Sequence, residues 1–127
     1  MPSEKTAVVT GSSSGIGEAI AQALLDQGWR VCGLDVSVPQ IDHARFEAVR
    51  VDLCDGAATK AAAAKVRGAS ALVHAAGVLR VGPLGQLHAE AGELMWRLHV
   101  EAVTRLADVL LPAMSAAGLG RVVLVGS

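Results

Sequence analysis

Aromatic residues are almost missing from this chain: its 127 residues include two tryptophans, one phenylalanine and no tyrosine. Trp29, Phe46 and Trp96 cannot fill a core alone, so small aliphatic side chains must do so, and 52% of the sequence is hydrophobic. An excess of either charge is missing too. The 11 Lys and Arg against 12 Asp and Glu give a net charge of −1, which leaves no basic footprint for nucleic acid or an anionic membrane. Charge or glycine interrupts every apolar run before membrane-spanning length, and Met1-Pro2-Ser3-Glu4-Lys5 lacks the hydrophobic stretch of a signal peptide. A soluble, cytoplasmic protein is expected. Cys32 and Cys54 are the only cysteines; beside strand-like runs, they read as reduced packing residues, and no spacing suggests a metal site. With neither repeat nor linker, residues 1–127 read as one domain.

Glycine is plentiful, and its placement is the strongest signal present. Thr10-Gly11-Ser12-Ser13-Ser14-Gly15-Ile16-Gly17 follows the apolar run Ala7-Val8-Val9 directly. Such a run predicts a strand, a tight turn and a helix N-terminus. Without side chains in the way, main-chain amides can approach a diphosphate, and the positive end of the helix favours its charge. A strand-to-helix turn that needs glycine only for its backbone angles is the plainer alternative. No Lys-Ser/Thr follows the glycines, which excludes a P-loop hydrolase. Asp35 ends a second strand-like run, Arg30–Leu34, where a carboxylate can accept hydrogen bonds from ribose hydroxyls and repel a 2′-phosphate. Otherwise it is a solvated strand-end acid. No Arg or Lys lies in the glycine turn, so NAD is expected rather than NADP.

Strands and helices alternate along the chain. Strands are expected at about 6–10, 30–35, 47–51, 71–74 and 121–126, with helices at about 16–27, 56–66 and 89–115. Ile20, Ala23 and Leu24 read as the buried stripe of the first helix. The roughly ten residues between the second and third strands, with Pro39 among them, argue against a full crossover helix and predict a single turn of helix or an extended loop. Apolar strands alternating with helices imply an α/β fold, a doubly wound parallel sheet in order 3-2-1-4-5 inside a three-layer α/β/α sandwich. The helix at 89–115 carries Leu94, Leu98, Val103, Leu106, Leu110 and Ala113 on one side, with Met95, Ala102, Val109 and Met114 widening the surface. A helix apolar on more than one face suggests a subunit contact, hence a homo-oligomer.

These residues resemble the short-chain dehydrogenase/reductase family along the whole chain. The turn is similar to its Thr-Gly-x-x-x-Gly-x-Gly signature, in which Gly11, Ser13, Ser14, Gly15, Ile16 and Gly17 would hold the diphosphate. Asp35 resembles the NAD-selecting acid. Asp52-Leu53 resembles the pair that holds the adenine, and His74-Ala75-Ala76-Gly77 the Asn-Asn-Ala-Gly motif lining the cofactor. Ser127, after Val122–Gly126, falls at the catalytic serine. The resemblance implies an NAD-dependent oxidoreductase interconverting a secondary alcohol and a ketone, with a small-molecule substrate. The stretch Ala75–Gly82 is also similar in wording to dihydrodiol-type dehydrogenases.

Two departures stand out. His74 and Ala75 replace the two asparagines, and His99 occupies the position of an asparagine that anchors a proton-relay water. Imidazole can donate and accept, so that role could persist; equally, His99 could be a helix residue with a satisfied hydrogen bond. The second departure is the acid–base pair. The resemblance implies a Tyr-x-x-x-Lys beyond Ser127, and the sequence has no tyrosine. Residues 1–127 are therefore expected to be the N-terminal part of a longer enzyme and inactive alone, since Ser127 cannot transfer the proton unaided. The competing expectation is a non-catalytic NAD-binding or dimerisation module.

Overall fold

The computed structural model describes residues 5–126. Five parallel strands form one sheet: β1 (Thr6–Thr10), β2 (Arg30–Asp35), β3 (Phe46–Arg50), β4 (Ala69–His74) and β5 (Arg121–Leu124). Their order is β3-β2-β1-β4-β5, as the alternation of elements requires. The helices are α1 (Gly15–Asp26), α2 (Gly56–Ala64), α3 (Ala89–Trp96) and α4 (Ala102–Ala117), and a π-turn (Arg97–Glu101) joins the last two. The helix expected at 89–115 is thus real but interrupted. Residues 36–45, between β2 and β3, contain no helix.

Side chains alternate across each strand, so the sheet feeds two cores. Ala7 and Val9 of β1, Val31 of β2 and Val73 of β4 face α1, which buries Gly17, Ala21 and Leu25 at a four-residue spacing. This corrects the expected stripe: Ala23 is exposed, whereas Ile20 and Leu24 only flank the buried line. On the opposite face Val8, Cys32, Leu34 and Leu72 pack with Ala62 and Ala63 of α2 and with Ala102, Leu106, Leu110 and Met114 of α4. Val103, Val109 and Leu111 pack against that same core. Much of the apolar width of α4 is therefore spent within the chain. Trp96 and Val100 remain exposed, and so do Val122, Val123 and Leu124 on the edge strand β5.

Both cysteines are free. Burial, with help from Glu47, pushes the Cys32 thiol up to about 11, so it behaves as a core residue. Among the described residues no helix is long and apolar enough to cross a membrane, and no cluster of His, Cys, Asp or Glu could hold a metal.

Candidate functional site

Every parallel strand ends at the same edge of the sheet, and there the loops leave a crevice. A cleft of about 590 Å³ opens beside the exits of β1, β2, β3 and β4. Gly11, Ser14, Gly15, Ile16 and Gly17 line it from the turn, Asp35 from the end of β2, Asp52 and Leu53 from the exit of β3, and Ala75, Ala76 and Gly77 from the exit of β4. Ser37, Cys54, Val78, Leu94 and Leu98 also line it, none of them having been assigned to the cofactor from sequence. The lining surface is mostly apolar.

The turn owes its shape to two close approaches. Gly11 sits at φ +69, and a Cβ there would lie 2.8 Å from the Ala76 nitrogen. A Cβ on Gly17 would lie 2.1 Å from the Gly11 carbonyl oxygen. Both must therefore be glycine for α1 to close onto β1. At Gly15, φ +56, a Cβ would meet nothing within 4 Å, and the residue lines the cleft. The first main-chain bond of α1 runs from Glu18 N–H to Ser14 C=O, so the amides of Gly15, Ile16 and Gly17 precede the helical ladder. Ser14, the N-cap, makes no side-chain capping bond. These features fit a diphosphate, whose oxygens would take the place of the missing cap.

Ser13 departs from its expected role. It is buried, does not line the cleft, and its N–H donates to Asp35 Oδ2 at 2.9 Å. Ser37 N–H donates to Oδ1 of the same carboxylate at 2.9 Å. Ser13 thus orients Asp35 instead of meeting a diphosphate. Each carboxylate oxygen retains lone-pair capacity toward the cleft. Arg50, paired with Asp35 in the β2–β3 register, donates from Nε and Nη2 to the Val36 carbonyl at 3.3 and 3.0 Å, and among the described residues no Arg or Lys lines the cleft. Asp52 accepts from Cys54 N–H at 2.9 Å while facing the cleft.

Sequence reasoning assigned no bonding role to Thr10 or His74. Both are buried at the ends of neighbouring strands, where Thr10 Oγ1 stands 2.9 Å from His74 Nδ1. The same hydroxyl accepts from Ala75 N–H and Ala76 N–H, each at 3.0 Å. His74 Nε2 lies 2.9 Å from the Leu98 carbonyl in the π-turn. One residue on, His99 Nε2 lies 2.9 Å from the Val78 carbonyl and 3.3 Å from the Val78 nitrogen. One nitrogen cannot serve both, and the shorter contact makes Nε2–H the donor to the carbonyl. His99 does not line the cleft; its ring covers Gly77, where a Cβ would come 2.3 Å from Cε1. Ser127 lies outside the described residues.

A five-stranded parallel sheet in this order, flanked by helices and with a cleft across the strand exits, defines a Rossmann-like α/β domain. The short chain dehydrogenase profile matches residues 5–127, and the chain belongs to that family. It is 33% identical over 129 residues to D-erythrulose reductase of Gallus gallus, a match that covers 97% of this chain and 52% of that protein. Among solved structures, a short-chain dehydrogenase from Streptomyces avermitilis superposes with a TM-score of 0.87 at 34% identity, covering 94% of this chain and 48% of the other. L-sorbose reductase of Gluconobacter frateurii, solved with NADPH and L-sorbose, gives a TM-score of 0.83 at 32% identity, covering 94% and 51%. The chain spans about half the length of the curated relatives it matches.

Proposed function

We propose that this chain is the dinucleotide-binding part of an NAD-dependent oxidoreductase that interconverts a secondary alcohol and a ketone. The observation that carries the proposal is the meeting of uncapped helix amides and an oriented, half-buried carboxylate in one cleft. When bound, NAD supplies the hydride chemistry. The residues of this chain bind and orient it: Gly15–Gly17 and Ser14 toward the diphosphate, Asp35 toward the ribose hydroxyls, Asp52 and Leu53 toward the adenine, and Ala75–Gly77 along the far wall. Ser127 donates a hydrogen bond to the substrate oxygen. Proton transfer falls to a Tyr-x-x-x-Lys pair outside this sequence.

NAD is favoured over NADP by the acid at the ribose position and the lack of a cation on the wall. Family membership alone leaves this open, since the sorbose enzyme was solved with NADPH. Relatives named for ketose sugars support a small ketone or secondary alcohol as substrate. The exposed Trp96 and Val100 support a homo-oligomeric contact through the helix running from residue 89, and a cytoplasmic location belongs to the same proposal. The second reading is a non-catalytic NAD-binding module.

Calorimetric titration with NAD+ and NADP+, together with an alcohol-oxidation assay, tests both. Saturable binding of NAD+, tighter than NADP+, without turnover by residues 1–127 is expected. Equal or tighter NADP+ binding would overturn the cofactor assignment, and turnover would overturn the proton-transfer assignment. Turnover by a protein carrying this segment plus a downstream Tyr-x-x-x-Lys would exclude the binding module.

A further inference from the structure

Three elements converge on the imidazole of His74, and the hydrogen atoms among them can be placed by counting. Thr10 Oγ1 has two lone pairs and accepts two N–H bonds, from Ala75 and Ala76. Its own hydrogen has one acceptor in reach, His74 Nδ1 at 2.9 Å. Nδ1 must then be bare, and the ring proton sits on Nε2, where it donates to the Leu98 carbonyl at 2.9 Å. No buried side-chain nitrogen or oxygen among the described residues is left without a partner. An imidazolium would break this pattern, since Nδ1–H would face the hydroxyl hydrogen. Burial also lowers the ring below the usual histidine value, outweighing the contact with the Leu98 carbonyl.

The Leu98 carbonyl belongs to the π-turn, in which Ala102 N–H reaches back five residues to the Arg97 carbonyl. Widened turns of this kind free carbonyls from the helical ladder and concentrate at functional sites. Residue 98 is fixed to the end of β4 by His74, and residue 99 is fixed to Val78 by its own ring. The two neighbours grip both ends of the segment 74–78, which forms one wall of the cleft.

We propose that His74, as the neutral Nε2–H tautomer, is a positioning residue: it pins the π-turn to β4 and the Ala75-Ala76 backbone to the glycine turn through Thr10, and so sets both His99 and the cleft wall. Among the described residues, His99 of the π-turn is the charged or titratable group that faces it; β1 and β4 contribute Thr10 and main chain. The consequence for cofactor affinity rests on the NAD reading above, whereas the tautomer does not.

The test is long-range 1H–15N correlation of the histidine rings in the uniformly labelled chain from pH 8 to pH 5, with NAD+ titrations at pH 7.5. The expected result is a neutral His74 with a bare Nδ1 that persists below the ordinary histidine value of 6.5. In His74→Leu the His99 ring signals should move toward those of His88 and NAD+ affinity should fall at least tenfold. His74→Asn, which keeps a donor and an acceptor, should restore both to within threefold. An Nδ1–H tautomer, protonation of the ring at or above pH 6.5, or unmoved His99 signals in His74→Leu would overturn the proposal. If His74→Leu does not fold, the wild-type tautomer decides alone. Wild-type chain that fails to bind NAD+ yet shows the expected tautomer would sink the cofactor reading and leave the positioning role standing.

Discussion

Asp35 is gripped by two main-chain N–H groups, one from the glycine turn and one from the residues after β2, so its carboxylate is aimed before any ribose arrives. Hydrogen bonds to a charged acceptor are each worth about 1.5–3 kcal/mol, and every 1.4 kcal/mol is about tenfold in affinity. Asp35→Ala should therefore weaken NAD+ binding by roughly 10- to 100-fold and narrow its advantage over NADP+, as read by parallel titrations; unchanged affinity for both would remove the ribose role. The glycines make a second contrast. Gly17→Ala forces a methyl against the Gly11 carbonyl, main chain that cannot swing aside, and overpacking of this kind costs about 1–3 kcal/mol. Gly15→Ala meets no atom, so its cost is the left-handed backbone, about 1–2 kcal/mol, at a residue that lines the cleft. The first should lower the melting temperature more; the second should act chiefly on NAD+ binding. Equal melting temperatures with unchanged binding in both would contradict the geometry.

At the scale of elements, β1, α1 and the strand order were legible because their signals are local: an apolar run before a glycine turn, and alternation that leaves one right-handed topology. The helix-free stretch at 36–45 followed from its length. The π-turn was not legible, because its carbonyl is taken by a ring 24 residues away, and helical periodicity carries no trace of such a partner. For the same reason Ser13 was misplaced: motif spacing puts its amide in the turn but does not show that Asp35, 22 residues on, claims it. His74 also shapes the acid response of the whole sheet. Its folded value lies below the free value of 6.5, so the unfolded chain binds the proton first as pH falls. Its contribution is thus complete above pH 6.5 and is lost as pH falls below 6.5 and through the lower folded value. Urea midpoints measured from pH 8 to pH 5 should show this decline in wild type and a shallower one in His74→Asn; identical slopes would assign the acid sensitivity to other groups.

On the scale of the whole molecule, the cleft is formed almost wholly by loops leaving one edge of the sheet, while both cores lie beneath it and hold those loops in place. Nearly all the residues picked out by motif reach that edge, because parallel strands deliver every strand exit to the same end. At the opposite flank β5 is an edge strand whose three aliphatic residues are exposed. The binding half and the proton-transferring half of the proposed reaction thus separate along the chain. The binding half can be tested by itself. Adding NAD+ to the 15N-labelled chain while following backbone amides should move the Gly15, Ile16 and Gly17 resonances first and furthest, with Asp35 and Ala76 close behind. If NAD+ binds and those three amides stay still, the diphosphate lies elsewhere and the glycine turn is merely a bend in the chain.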